Sequence, residues 1–286
     1  MKFAVVGGDR RSSLLCGILR RDGHKVQTFA LERAELPAEV PKAGCLQGCV
    51  YGADCVILPT PAEKGGVLNA PFSSETLRLP ELIGELWQGQ IVCGGKLSDE
   101  SCLAAVKGKL YLEDLMRRPD FVAGNAAITA EGAIELLMAG SDRALLDSRV
   151  LVTGWGRIGR ILALRLQSLG AEVTVAARKP GQRAEARALG CGAMDYAQLE
   201  GEISEFDFIV NTVPARVISE AMLCCIAPDT LLLELASPPG GFDRTLAENI
   251  GLHTLAAPGL PGEYAPYSAA LLMRDAIYDI IREQEE

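Results

Sequence analysis

The stretch VLVTGWGRIG, residues 150–159, decides the fold of this chain. Its apolar start predicts a buried strand, and the apolar spacing that continues towards residue 170 predicts a helix. Gly154 permits the tight turn between them, Gly156 lets a pyrophosphate approach the backbone, and Gly159 allows the helix to pack closely on the strand. The helix N-terminus adds N–H donors and a partial positive charge. The stretch therefore predicts a Rossmann domain that binds a dinucleotide, with a glycine turn that binds nothing as the alternative.

We expect the whole turn to line the dinucleotide site: Gly154, Trp155, Gly156, Arg157, Ile158 and Gly159. The next strand decides between the two nicotinamide cofactors, because in NAD-binding domains it ends in an acid that binds the ribose hydroxyls. Here it ends in Arg178 and Lys179. Arg178 can stack on adenine and pair with a 2′-phosphate, with Lys179 or Arg183 assisting. The sequence thus favours NADP over NAD, and a solvated basic turn is the other interpretation.

Strands and helices alternate on both sides of this stretch, which is typical of parallel sheets with crossover helices. The predicted strands lie near residues 2–6, 25–28, 54–58, 90–93, 109–111, 149–153, 172–176, 206–211, 230–234 and 252–255. The predicted fold class is α/β, with two doubly wound parallel-sheet (Rossmann-like) domains joined by helices. The predicted parts are an N-terminal α/β substrate-side domain (1–123), a linking helix (124–145), an NAD(P)-binding Rossmann domain (146–262) and a C-terminal helix packing back on the N-terminal domain (263–286).

Composition excludes several classes of protein. Length fits about two domains of ordinary size. The chain has 28 Lys and Arg residues against 37 Asp and Glu residues, which gives a net charge of −9. An acidic protein repels the phosphate backbone of nucleic acids, so nucleic-acid binding is not expected. The longest apolar runs are short and strand-like, and the N-terminus has no leader pattern, so neither a membrane span nor secretion is expected. The 9 cysteines lack metal-ligand spacing, which indicates reduced thiols in a cytoplasm and no metal site.

Polar residues follow two strands of the second domain. The loops after these strands stand at the carboxyl edge of the sheet, facing the nicotinamide of a bound dinucleotide. We expect contacts with the nicotinamide ribose or the substrate from Asn211, Thr212, Pro214 and Ser237. Ordinary turn chemistry is the alternative for these residues.

Motifs along nearly the whole chain resemble the dipicolinate synthase A subunits of spore-forming bacteria. In this sequence they are GGD-x-R (7–11), ILP (57–59), T-x-EG (129–132), G-x-GR-x-G (154–159), NT-x-P (211–214), AS-x-PGG (236–241) and APGLPG (257–262). The last two are far more specific than the glycine turn. The chain departs from the family after Pro266, where Ser268 and Ala270 replace the common Thr and Gly.

The resemblance implies a pyridine-nucleotide-dependent oxidation of dihydrodipicolinate, or of its hydroxylated precursor, to dipicolinate. This reaction branches from the lysine (diaminopimelate) pathway during sporulation. The resemblance also implies that a flavoprotein-like B subunit is the partner and that the cytoplasm of the mother cell is the location, and a homo-oligomer is possible. Two alternatives stay open: another NADP-dependent dehydrogenase, of the hydroxyacid, shikimate or alanine dehydrogenase type, and a non-catalytic nucleotide-binding protein. The dehydrogenase types usually show a His/Glu or Lys/Asp pair, which is not visible here.

Aromatising a dihydropyridine removes a hydride, to C4 of the nicotinamide, and a proton, to a modest base. Asn125 or Thr129 can cap the linking helix, whose first-turn N–H groups attract a carboxylate. Glu131 is the best-placed carboxylate for the base. We therefore expect Asn125, Thr129 and Glu131 to be catalytic, with plain helix capping as the alternative for the first two.

A substrate with two carboxylates needs local cations in an acidic protein. Candidates follow strands of the first domain: Asp9, Arg10 and Arg11 after the first strand, and Pro59, Thr60 and Lys64 after the third. We expect Arg11 to bind a carboxylate, while an Asp9 salt bridge that holds the turn is the alternative. A surface position is the alternative for Lys64.

Overall fold

In the computed structural model, which describes residues 1–285, strands and helices alternate along the chain as the sequence predicts. The elements up to the long central helix are β1 (Lys2–Val6), α1 (Arg10–Arg21), β2 (Lys25–Phe29), α2 (Leu46–Val50), β3 (Cys55–Ile57), β4 (Glu63–Lys64), β5 (Val67–Leu68), α3 (Leu79–Gly84), β6 (Ile91–Gly94), α4 (Asp99–Lys107), β7 (Tyr111–Asp114) and α5 (Pro119–Ala139). The remaining elements are β8 (Arg149–Thr153), α6 (Arg157–Ser168), β9 (Glu172–Ala176), α7 (Pro180–Ala188), β10 (Gly192–Met194), α8 (Tyr196–Glu202), β11 (Phe208–Asn211), α9 (Glu220–Cys225), β12 (Leu231–Glu234), α10 (Arg244–Asn249), β13 (His253–Ala256), α11 (Leu260–Glu263) and α12 (Pro266–Glu285).

The chain divides into two units. The first comprises Met1–Asn125 together with the C-terminal segment from Pro261, and the second comprises Ala126–Leu260. The division falls inside α5, which begins at Pro119 and ends at Ala139. The predicted linking helix at 124–145 was therefore placed about five residues too late, because Pro119 is a favourable first-turn residue that the prediction did not use.

The first unit contains a parallel sheet in the order β2-β1-β3-β6-β7. Apart from the small β4-β5 hairpin, this is the 2-1-3-4-5 order of flavodoxin-like sheets. The direction of winding reverses between β1 and β3, so the loops after those strands flank the switch point, where ligands bind in such sheets. Helix α12 packs against α1 in this unit, and Ala270, Met273, Ile277 and Ile280 are buried there.

The second unit contains a six-stranded parallel sheet in the order β10-β9-β8-β11-β12-β13. This is the full 3-2-1-4-5-6 Rossmann order, with its switch point between β8 and β11. All four residues of both β11 and β12 are buried, as expected for central parallel strands covered on both faces. The fold class is confirmed. The edge strand β10 and the β4-β5 hairpin were not predicted from the sequence.

Helix α5 is long and apolar enough to cross a membrane by length and composition alone, and it is the one such helix among residues 1–285. Its apolar residues are interrupted by small and polar ones, so the sequence contains no long uninterrupted apolar run there. Ala130, Ala133 and Leu137 are fully buried and lie in a hydrophobic cluster of the second unit. In the structure these side chains serve as core residues.

Candidate functional site

The glycine turn after β8 has the three properties that the sequence predicts. Gly154 has φ +93°, and a Cβ there would lie 2.7 Å from Thr212 Oγ1. A Cβ on Gly159 would lie 2.3 Å from the carbonyl oxygen of Gly154, which leaves no room for a side chain between turn and helix. Gly156 faces open space, because no atom of residues 1–285 other than its chain neighbours lies within 4 Å of its Cβ position. The turn is therefore closed towards the protein and open outwards at one residue.

Helix α6 begins directly at this opening. Its N-cap is Gly156, and no side chain of the described residues caps its first turn. The first N–H groups of a helix have no partner within the helix and carry partial positive charge. The open position at Gly156 and the uncapped helix end together fit the diphosphate of a dinucleotide.

Trp155 lies in the turn but points into the protein. Its side chain is buried, and its Nε1 donates a hydrogen bond of 2.9 Å to Glu185 Oε2 on α7. Arg160 completes the cluster, because it forms a 2.6 Å ion pair with Glu185 and lies over the Trp155 ring. The indole therefore anchors the turn to α7. Of the other predicted turn residues, Arg157 is exposed and Ile158 is half-buried.

The basic residues after β9 divide into two roles. Arg178 and Lys179 are exposed, and neither side chain bonds to another residue in the described part of the chain. Arg183 instead donates from Nη1 to the carbonyl oxygens of Ala177 and Arg178, at 2.8 and 2.9 Å. It therefore fixes the end of the strand. Burial raises the pKa of the neighbouring Tyr196, and the charge of Arg178 opposes that rise.

Asn211, predicted to contact the nicotinamide ribose or the substrate, is instead fully occupied inside the protein. Its Oδ1 accepts from Thr153 Oγ1 at 2.5 Å and from the Val213 backbone N–H at 3.1 Å. Its Nδ2 donates to the Val213 carbonyl at 2.9 Å and to Glu234 Oε1 at 2.6 Å. These bonds use both lone pairs and both protons of the amide. The prediction of direct ligand contact is therefore wrong for this side chain.

The remaining residues predicted on these loops differ in exposure. Thr212 is half-buried and donates from Oγ1 to the Thr153 carbonyl oxygen at 2.7 Å. Pro214 and Ser237 are exposed at the carboxyl edge. Glu234, whose carboxylate connects the two loops, was not predicted from the sequence. The sequence feature that could have identified Glu234 is an acidic residue at the end of an otherwise apolar, buried strand.

In the first unit, Asp9 and Arg11 form a salt bridge at the end of β1. Arg11 Nη2 lies 2.7 Å from Asp9 Oδ2, Arg11 Nε donates to Asp9 Oδ1 at 3.0 Å, and Arg11 Nη2 also donates to the Thr60 carbonyl. The Arg11 side chain is 8% exposed and the Asp9 side chain 31%. A Cβ on Gly262 would lie 3.0 Å from Arg11 Nε. Within this unit, Gly262, the last residue of the APGLPG motif, therefore packs against the salt bridge. The salt bridge itself is the alternative that the sequence predicted for Arg11.

The other predicted substrate residues lie in different surroundings. Arg10 is exposed, Pro59 is buried, and Lys64 is an exposed residue of the β4-β5 hairpin. The Thr60 hydroxyl is buried and has no hydrogen-bond partner among residues 1–285. It lies against Gly95, whose Cβ position is 2.6 Å from Thr60 Oγ1.

The predicted catalytic group on α5 requires a correction. Asn125 and Thr129 lie inside the helix, not at its start, because α5 begins at Pro119. They are therefore not N-caps, and the N–H groups around them belong to the helix interior. Glu131 is exposed and forms a 3.1 Å ion pair with Arg165 of α6.

Two protein-family models match separate parts of the chain. Residues 2–116 match the N-terminal domain of the dipicolinate synthase A subunit. Residues 138–227 match the NAD-binding domain of D-isomer-specific 2-hydroxyacid dehydrogenases. This second match includes the glycine turn and the strand that ends before Arg178.

A curated relative covers the chain from end to end. The dipicolinate synthase A subunit of Bacillus subtilis (strain 168) is 30% identical over 288 aligned positions, which cover 99% of this chain and 96% of the relative. The chain belongs to the family of dipicolinate synthase A subunits. Crystal structures of this subunit from B. subtilis and from Bacillus halodurans superpose with TM-scores of 0.85 and 0.86, at 29% and 28% identity. The alignments cover 100% and 98% of this chain, and 98% and 97% of those chains.

Family and geometry agree on the class of activity. The second unit is an NAD-binding dehydrogenase domain, and the chain is an oxidoreductase that uses a nicotinamide cofactor. The relatives are named as one lettered subunit of the synthase, which indicates that the family works with other subunits. The recognition made from the sequence motifs is confirmed.

Proposed function

We propose that this protein oxidises dihydrodipicolinate to dipicolinate with NADP or NAD as hydride acceptor. If the substrate is the hydroxylated tetrahydro precursor, the ring also loses its hydroxyl group as water. The observation that carries the proposal is the 30% identity to a dipicolinate synthase A subunit over 99% of the chain. We further propose, from what the resemblance to the family implies, that it acts in the cytoplasm of a sporulating mother cell together with a flavoprotein-like B subunit.

The nicotinamide cofactor, when bound, accepts a hydride from the dihydropyridine ring. The chain's own contribution is to hold the reactants. The uncapped start of α6 and the open Gly156 position would hold the diphosphate, and the loops after β11 and β12 would border the nicotinamide. Because the aromatic product makes the step strongly favourable, positioning and a modest proton acceptor suffice. We propose that Glu131 removes the proton and that Asn125 and Thr129, on the same helix α5, contact the substrate.

The proposed carboxylate site lies after β1 and β3. In Arg11, Nε and Nη2 already bond to Asp9 and the Thr60 carbonyl, so Nη1 is left for a substrate carboxylate. Arg10 is exposed beside it and supplies a second cation.

We propose that Arg178 selects NADP. Its guanidinium is exposed, and unpaired within the described residues, at the end of β9, where the ribose lies in this fold. Arg178→Asp should weaken NADP binding at least ~10-fold relative to NAD, because one lost charge-assisted contact is worth about 1.5–3 kcal/mol. Arg149→Asp, at the amino end of β8, is the control and should leave the ratio unchanged. Equal weakening of both cofactors by Arg178→Asp would refute the phosphate role.

The reaction is tested by following the near-ultraviolet absorbance of the reduced cofactor when purified protein meets dihydrodipicolinate, with and without the B subunit. Cofactor reduction by this chain alone supports the proposal and eliminates a non-catalytic nucleotide-binding role. Dipicolinate is measured directly in a second assay, and its formation only with the partner, continuing after the nicotinamide cofactor is removed, would assign the chemistry to the other subunit. Turnover of a hydroxyacid or alanine in place of the ring acid would favour the other dehydrogenase types.

A further inference from the structure

Glu234 is a charged residue at the end of a buried strand. Only 8% of it is exposed, and Leu231, Leu232 and Leu233 before it are buried in the sheet. Removing a carboxylate from water is unfavourable unless other polar groups replace the hydration. Within residues 1–285 its hydrogen-bond partners are N–H groups, and it takes part in no ion pair.

Three hydrogen bonds tie this carboxylate to two loops. Oε1 accepts from Asn211 Nδ2 at 2.6 Å and from the Ala236 backbone N–H at 2.9 Å, and Oε2 accepts from the Gly241 backbone N–H at 2.7 Å. Asn211 begins the loop after β11, whereas Ala236 and Gly241 belong to the loop after β12. A single side chain therefore sets the spacing of two neighbouring loops at the carboxyl edge.

The glycines of the AS-x-PGG motif close over this arrangement. A Cβ on Gly240 would lie 2.9 Å from Glu234 Oε2, and one on Gly241 would lie 2.3–2.5 Å from the atoms of the Asn211 amide. The Gly241 carbonyl in turn accepts from the backbone N–H groups of Val217 and Ile218, at 2.9 and 3.0 Å. Glu234 is thus covered by its own loop, and its carboxylate faces the protein interior.

We propose that Glu234 is a positioning residue that holds the loops after β11 and β12 around the nicotinamide, an inference that rests on the proposed function. These loops follow the fourth and fifth strands of the Rossmann order, beside the switch point where the nicotinamide half of the cofactor binds. A misplacement of about 1 Å in a reacting group can lower a rate about 100-fold. Glu234→Gln keeps the shape of the side chain but turns one acceptor into a donor, which then faces an N–H group.

The test compares ligands with and without a nicotinamide. Calorimetry on the purified full chain measures NADPH against 2′-phospho-ADP-ribose, and NADH against ADP-ribose. We expect Glu234→Gln to weaken binding of the preferred reduced cofactor at least ~10-fold while the matching fragment changes less than about twofold, because the diphosphate and adenosine contacts stay intact. Glu234→Asp keeps the charge and should restore part of the loss. Glu205→Gln, an exposed residue paired with Arg149, is the control and should change neither ligand.

Each outcome bears on the inference. Equal weakening of cofactor and fragment would show a structural role alone and overturn the positioning role, as would no change in either. If Glu234→Gln fails to fold, Gly241→Ala presses on the same Asn211 amide from the loop side and should give the same selective loss, whereas a loss shared by both ligands would overturn the inference. If the unmodified chain binds neither cofactor nor fragment, the proposed function fails first, and the inference fails with it.

Discussion

Substitutions in the glycine turn should affect folding and cofactor binding separately. Gly156→Ser places a side chain where, apart from the two chain neighbours, no atom of residues 1–285 lies within 4 Å, so the fold accepts it. Serine is also a better N-cap than glycine, which should raise the free energy of unfolding by a few tenths of a kcal/mol. The same side chain occupies the opening and satisfies first-turn N–H groups. Losing two charge-assisted bonds to a diphosphate, each worth about 1.5 kcal/mol, weakens cofactor binding about 100-fold.

Gly159→Ala should behave in the opposite way with respect to stability. Its Cβ would lie 2.3 Å from the Gly154 carbonyl oxygen, so the helix or the turn must move by about 1 Å to restore ordinary contact. Such overpacking costs about 1–3 kcal/mol, and cofactor binding falls as well because the turn is displaced. Gly201→Ala in α8, with nothing within 4 Å, is the control and should stabilise by about 0.4–1 kcal/mol without changing binding.

The assay combines chemical denaturation, which gives the free energy of unfolding, with calorimetric titration of the reduced cofactor. The expected pattern is that Gly156→Ser loses binding alone, Gly159→Ala loses both quantities, and Gly201→Ala loses neither. Retention of cofactor affinity within about twofold by Gly156→Ser would refute the role of the opening.

Three further predictions concern the first unit and the thiols. Asp9→Asn keeps a side chain able to cap α1 but leaves the Arg11 guanidinium without its carboxylate, so it should lower the free energy of unfolding by about 2 kcal/mol. The exposed control Glu248→Gln should lower it by less than about 0.5 kcal/mol, and equal losses would show that the Asp9–Arg11 salt bridge contributes nothing. Burial lowers the pKa of His24, and the N-terminal ammonium lowers it further while Asp22 opposes the shift, so the folded state binds fewer protons than the unfolded state. The free energy of unfolding should therefore fall as the pH drops below about 6.5. Denaturation at two pH values should show a smaller fall for a His24→Gln protein. In a thiol-labelling assay on the folded protein, Cys45, Cys224 and Cys225 should react first because they are exposed. Burial raises the pKa of Cys49 to about 12, so Cys49 should react only after unfolding, and early labelling of Cys49 would contradict its burial.

The sequence was most informative where one physical requirement selects the residue type. The apolar runs of β8, β11 and β12 predicted buried parallel strands, because such strands are covered on both faces. The glycines of the turn were interpreted correctly, since a positive φ at Gly154 and the closeness of Gly159 to the backbone exclude side chains.

The sequence was least informative where a side chain had two possible directions. Asn211 stands at a ligand-facing edge, but pairing with Glu234 directs its amide into the protein, and sequence spacing does not contain that contact. The same holds for Arg11, whose neighbour Asp9 competes with any substrate for the guanidinium. For α5, a proline that starts the helix outweighed the polar residues Asn125 and Thr129, which were predicted as caps.

The most direct measurement of the central claim is an equilibrium titration of the purified, folded chain with NADPH and with NADH. We predict saturable binding at one site per chain, competed by the nicotinamide-free fragment and weakened about 100-fold by Gly156→Ser. A folded chain that binds neither cofactor would contradict the claim that the turn between β8 and α6 is a dinucleotide site.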